Sequence, residues 1–192
     1  MSHHSRSEAT ETAQRAAVYE FLGRLWSSEV DAALQRSLTE PSRARDAFLN
    51  VGGDLSEVDS SSVGIEELAE DYCRLFLGPT NHLPPYQSVW TDGQFAGEPS
   101  VQMKQWCEIA GIESSAIEPD QLGVQLTVMS RIVGSANATV EADFFEQHLR
   151  WPKELFAAAA ERARTEFYRS VVKITSEFLQ LEAERFPGTR RP

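Results

Sequence analysis

The stretch DYCRLFLGPTNHLPPYQSVWTDG, from Asp71 to Gly93, decides how the chain is read. Upstream of it, Ile65, Leu68, Ala69, Tyr72, Cys73, Leu75 and Phe76 repeat at the i, i+3, i+4, i+7 spacing of one apolar helix face. Gly78 and Pro79 then supply a C-terminal stop. Pro84, Pro85, Tyr86, Val89 and Trp90 follow, with only Gln87 and Ser88 as polar residues between Tyr86 and Val89. A loop this apolar is either folded into the core or walls a groove for an apolar partner.

Working outward, helical periodicity recurs and strand alternation is almost missing. Val18, Phe21, Leu22, Leu25 and Trp26 make a first face; Val30, Ala33, Leu34, Ser37 and Leu38 a second; Ala44, Ala47, Phe48 and Val51 a third. Pro99 can open a helix carrying Met103, Trp106, Cys107 and Ala110, which Gly111 stops. Pro119 opens one with Leu122, Leu126, Met129 and Val133 on one side. Ala142, Phe145 and Leu149 reach Pro152; Leu155, Phe156, Ala159 and Ala163 continue; Phe167, Val171, Ile174, Phe178 and Leu181 make the cleanest helix. The pattern predicts an all-α, single-domain helical bundle over 1–192 with a long Pro/aromatic loop near its middle. Residues 1–12 and 187–192 are expected as disordered tails, and Gly52–Ser62 as a mobile loop.

The chain carries 29 Asp+Glu against 18 Lys+Arg, a formal charge of -11. That disfavours nucleic acid or anionic lipid as partner and suits a basic, arginine-bearing one. Only Lys104, Lys153 and Lys173 are lysines, which fits either a halophile or a GC-rich genome. No run approaches the ~18 apolar residues of a membrane span. The polar start MSHHSRSEATETAQR has no secretory apolar core, so the expected location is the cytoplasm without membrane insertion. Cys73 and Cys107, on apolar faces, read as small buried hydrophobes.

Catalytic patterns do not emerge. Gly52-Gly53 is followed by Asp and not by the Lys-Ser/Thr of a phosphate loop, and no Cys-x-x-Cys or His-Glu-x-x-His occurs. His3 and His4 read as solvated, His148 as structural, and Ser88 lacks the glycines of a nucleophile elbow. Glu118 and Asp120 flank Pro119, where acidic groups suit a helix start or an acid–base pair. The expectation is a non-enzyme with no metal and no cofactor.

Several motifs together resemble one family. Leu75-Phe76-x-Gly78-Pro79 followed by Pro85-Tyr86-x-Ser88-Val89-Trp90-x-Asp92 is similar to the TorD/DmsD chaperones of molybdoenzyme maturation. So are Glu118-Pro119-Asp120, Gln105-Trp106 ahead of Gly111-Ile112, His148-Leu149 with Trp151, and Phe167-Tyr168-Arg169. The similarity runs from about Val18 to Glu182. It implies an all-helical cytoplasmic chaperone that binds the twin-arginine signal peptide and apo catalytic subunit of a molybdopterin-containing reductase, of dimethyl sulfoxide or trimethylamine N-oxide type. Such a protein holds back export until the cofactor is inserted. The resemblance places the peptide site on Tyr72, Leu75, Phe76, Pro85, Tyr86, Trp90, Glu118, Pro119, Asp120 and Gln121.

This chain departs from the family pattern twice. Gln121 stands where a His is usual, which removes a titratable nitrogen, and His148-Leu149-Arg150-Trp151 is one residue shorter than the usual His-Leu-x-x-Trp. Physically, Tyr72, Leu75, Phe76, Pro85, Tyr86 and Trp90 can wall an apolar run, while Glu118 and Asp120 can meet guanidinium groups. Other readings stay open: a NarJ-type nitrate reductase chaperone, a small hydrolase using Glu118 and Asp120 with His82 or His148, and a helical adaptor for a folded surface. Monomer and dimer are both compatible with the sequence.

Overall fold

A computed structural model of the chain describes residues 2–56, 58, 62–112, 119–134 and 138–186. Its helices are α1 (Ser2–Ser27), α2 (Ala32–Thr39), α3 (Arg43–Asn50), α4 (Ser62–Tyr72), α5 (Gln87–Thr91), α6 (Glu98–Ile109), α7 (Leu122–Ile132), α8 (Ala138–His148), α9 (Lys153–Arg162) and α10 (Glu166–Arg185). Among the described residues the only β pairing is an isolated bridge between Tyr86 and Gln121. The fold is all-α, as the periodicity predicts. The helices gather into two compact units that alternate along the chain: residues 1–27, 86–152 and 181–192 form the first, and 28–85 and 153–180 the second.

In the first unit α1 lies directly on α7. Gly23 and Gly123 face each other there: a Cβ on Gly123 would sit 2.6 Å from the Ser27 backbone nitrogen, and one on Gly23 would sit 2.5 Å from Thr127 Oγ1. Ser27 and Thr127 turn their hydroxyls back onto the Gly23 and Gly123 carbonyls of their own helices, at 2.7 and 2.9 Å, so neither hydroxyl is stranded in the crossing. Tyr19, Leu22, Leu25 and Trp26 of α1 are thereby buried with Leu122, Leu126 and Met129 of α7 and Phe144 and Phe145 of α8. A buried charge cluster fastens the same unit. Arg15 donates to Glu182 at 2.7 Å and to Glu141 at 3.1 Å, and the Tyr19 hydroxyl donates to Glu182 at 3.0 Å. Burial and the Glu182 carboxylate push the Tyr19 phenol far above its ordinary pKa, so it stays a donor.

The second unit is built on α2, α3, α4, α9 and most of α10. Asp31 caps α2 by accepting from the Leu34 nitrogen at 2.7 Å. A second cap is supplied from a distance: Asp71 accepts from the backbone nitrogens of Arg164 and Thr165 and from the Thr165 hydroxyl, all within 3.0 Å, just ahead of α10. Two backbone nitrogens and one hydroxyl at the entry to this helix find one carboxylate, which also meets Arg74.

Three local details depart from the sequence expectations. The helix predicted through Leu77 ends as α4 and passes into a π-helical turn, Cys73–Leu77. The Leu75 carbonyl, in the last turn, accepts from Leu83 N at 2.6 Å and ties the following loop back. The loop expected to reach Gly93 is shorter, because α5 occupies Gln87–Thr91. Residues 2–12, expected as a tail, belong to α1: the run SRSEATETAQRA is rich in Ala, Glu, Gln and Arg, and Glu11 pairs with Arg185. The 187–192 tail lies outside the described residues, as does most of the Ser-rich end of the Gly52–Ser62 loop.

Candidate functional site

The residues singled out by sequence fall into both units. Tyr72, Leu75, Phe76 and Pro85 belong to the second; Tyr86, Trp90, Pro119, Asp120 and Gln121 belong to the first. Glu118 lies outside the described residues.

In the second unit Tyr72, Leu75 and Phe76 are no more than 3% exposed. Tyr72 meets Phe76 edge-on with ring centroids 5.1 Å apart, and Tyr168 at 5.9 Å. Pro85 is buried too. These side chains are core in this conformation, not the open wall that their spacing also allowed. The core outcome follows from their place on the inward face of α4 and the π turn, opposite the start of α10. Cys73 is only partly buried, with Sγ 3.6 Å from Glu29 Oε2, whereas Cys107 is fully buried as expected.

In the first unit the aromatic segment is held by Asp120. This carboxylate is 0% exposed. It accepts from Ser88 N at 2.8 Å and from the Ser100 hydroxyl at 2.5 Å, while its carbonyl accepts from Gln87 N at 3.0 Å. The expected meeting of Asp120 with a ligand guanidinium would need this fully buried group to be uncovered, and each of its oxygens already accepts a bond inside the protein. Its side chain and its backbone carbonyl together satisfy the first two donors of α5, between Tyr86 and Trp90, both partly exposed. Tyr86 in turn rests edge-on against Phe95, centroids 5.5 Å apart.

A buried polar network supports α5 from behind, and sequence reading missed most of it. Gln87 Nε2 donates to the Gln147 carbonyl at 2.7 Å, so its Oε1 faces Gln125 Nε2 at 2.7 Å and His148 Nδ1 at 3.0 Å. An amide oxygen only accepts, so His148 carries its proton on Nδ1. Trp151 Nε1 donates to Gln125 Oε1 and to the His148 carbonyl, so the shortened His-Leu-Arg-Trp segment still turns its indole inward. The buried Gln121 Oε1 and His148 Nε2 have no hydrogen-bond partner. The signal that could have exposed this network is Gln125, a polar residue on the apolar face of Leu122, Leu126 and Met129.

Burial, opposed by the Asp120 carboxylate, lowers the His148 pKa to about 4 from its ordinary 6.5. A depressed histidine is neutral in the native state, so its contribution is complete above pH 6.5 and is lost as pH falls toward 4, where the unfolded chain binds the extra proton. Wild type is expected to lose on the order of 2–3 kcal/mol more than His148→Gln between those pH values. Urea titrations across the range check this; parallel pH profiles for the two proteins would refute it. The His148 ring bonds an amide rather than a carboxylate, which leaves the acid–base pairing with Asp120 unmade. Among the described residues no group of three His, Cys, Asp or Glu is placed to hold a metal, and no helix is long and apolar enough to cross a membrane.

Comparison with known proteins bears on this arrangement. The family described as nitrate reductase delta subunit matches residues 31–162. A chaperone protein TorD of Vibrio vulnificus (strain YJ016) is 30% identical over 140 residues, covering 64% of this chain and 65% of that relative, just under two thirds of its length. TorD of Shewanella pealeana is 25% identical over 196 residues, 88% of each chain. TorD of Colwellia psychrerythraea is 25% identical over 234 residues, 96% of this chain and 98% of the relative.

Proposed function

Because this chain belongs to the nitrate reductase delta subunit family of TorD/NarJ-type chaperones, we propose that it is a molybdoenzyme maturation chaperone, acting in the cytoplasm on the twin-arginine signal peptide and apo catalytic subunit of an exported reductase. The observation that carries the reading is the family match over 31–162, which spans all ten site residues. The TorD names of the relatives favour a reductase of trimethylamine N-oxide or dimethyl sulfoxide type over the nitrate reductase alternative. Chemistry agrees with the class: a chain of charge -11 suits an arginine-bearing ligand, and apolar contact supplies affinity while charge sets orientation.

In this reading the site residues divide by role. Tyr86 and Trp90 are the accessible aromatic contacts, and Pro119, Asp120 and Gln121 of the same unit support the segment that carries them, whereas Tyr72, Leu75, Phe76 and Pro85 stabilise the second unit. Calorimetry with a twin-arginine peptide from a molybdoreductase is expected to show micromolar or tighter binding. Trp90→Ala is expected to weaken it about tenfold, the loss of one aromatic contact of roughly 1–2 kcal/mol. A folded protein that binds neither this peptide nor the apo subunit overturns the reading.

A further inference from the structure

We propose that the outward face of α6, with the loop before it, is the docking surface for an extended peptide carrying arginine followed by an apolar run; this rests on the chaperone reading above and locates it. The described large apolar side chains that stand exposed are few, and three of them fall between residues 95 and 109: Phe95 at 55%, Val101 at 58% and Ile109 at 67%. Val101, Gln105 and Ile109 follow one another at i, i+4 and i+8, a single ridge of α6, while Met103 and Cys107 on the opposite side are fully buried. Phe95 is continuous with the aromatic segment through its edge-on contact with Tyr86. Ala96, with φ of 56°, holds a left-handed conformation that lets the chain turn between Phe95 and α6.

Charge selects the occupant. Asp92, Glu98 and Glu108 are exposed beside these apolar groups, and none of them is in an ion pair among the described residues. Elsewhere Glu11, Glu20, Glu70, Glu141, Glu146, Glu166 and Glu182 each meet an arginine of the chain. Lys104 is the single cation in the α6 sequence. A second copy of the chain would bring the same carboxylates against these, whereas a cationic peptide neutralises them while its apolar run covers Phe95, Val101 and Ile109. Asp120 is buried, with each oxygen accepting a bond inside the protein, whereas the α6 face is acidic, apolar and open to a ligand without rearrangement.

The test is calorimetry of the full chain with a synthetic peptide bearing Arg-Arg and an apolar run, using Phe95→Ser/Val101→Ser/Ile109→Ser and, separately, Asp92→Asn/Glu98→Gln. All five side chains are exposed; Asp92 also accepts from Glu98 N at 3.2 Å, for which its Asn variant keeps an acceptor oxygen, and Phe95 touches Tyr86, so circular dichroism and melting curves accompany each titration and only folded variants are scored. The triple variant is expected to bind at least tenfold more weakly, and the charge variant severalfold more weakly with a flatter salt dependence. Wild-type binding that the triple variant retains within twofold overturns the surface and leaves the chaperone reading standing. No binding by wild type overturns the chaperone reading itself. Sedimentation showing a wild-type dimer that the triple variant dissolves would make the face a self-interface and equally overturn the proposal.

Discussion

Gly123→Ala is expected to destabilise the first unit by about 3 kcal/mol, the upper part of the range for overpacking, because its neighbours cannot step aside. A Cβ there would meet the Ser27 hydroxyl, the Ser27 nitrogen at 2.6 Å and the Gly23 carbonyl at 2.8 Å. Two of the three are backbone atoms of α1, so relief requires the whole helix to move off α7. That motion loosens the packing of Leu22, Leu25, Trp26, Leu122 and Leu126 together. For a chain of this length the loss corresponds to a melting temperature lower by roughly 6–12 °C. Gly23→Ala meets Thr127 Oγ1 at 2.5 Å and the Gly123 carbonyl at 3.0 Å, a somewhat softer clash, since a side chain gives first. The two substitutions widen the same crossing, so the double variant is expected to lose less than the sum of the single losses. Thermal and urea unfolding by circular dichroism measure all three. A melting temperature unchanged in Gly123→Ala would show that α1 does not approach α7 this closely.

The helices were legible because their apolar faces are regular: the 3.6-residue spacing of Val18 to Trp26, Leu122 to Val133 and Phe167 to Leu181 leaves no strand alternative. Pro99 and Gly111 bound α6 as read, and Gly111 adopts a φ of 66° that its lack of Cβ permits. The π turn was not legible, since Cys73–Leu77 carries ordinary helix-face spacing and the bond from Leu83 N to the Leu75 carbonyl that accompanies it lies beyond any helix pattern. Periodicity also cannot separate a core face from a groove wall; Tyr72, Leu75 and Phe76 satisfy both until burial is known and Tyr168 is placed against the two rings. The caps were hidden for a related reason. Asp71 and Asp120 serve helix starts that lie more than ninety and more than thirty residues away, respectively, so no local pattern announces them. Asp71 gives one hint, a carboxylate on the Leu68, Tyr72, Leu75 face, which only a strong partner makes tolerable.

The position of Asp120 yields the sharper functional test, because two roles for it make opposite demands on its substitutes. Asp120→Ala removes the acceptor of two buried donors, Ser88 N–H and the Ser100 hydroxyl, and is expected to cost about 3 kcal/mol. It also frees the start of α5, so Tyr86 and Trp90 lose their fixed position and peptide binding falls with them. Asp120→Asn retains an amide oxygen for Ser88 N–H, and the Ser100 hydroxyl can rotate to accept from the new NH2 group. That variant is expected to lose about 1 kcal/mol of stability and to bind peptide within a fewfold of wild type. A carboxylate pairing directly with a ligand guanidinium behaves otherwise, since neutral Asn forfeits the charge and should bind as poorly as Ala while remaining folded. Calorimetry and melting curves on the two variants decide between them: strong binding by Asn with weak binding by Ala marks Asp120 as the group that positions the aromatic segment, and equal loss in both returns it to the peptide's side.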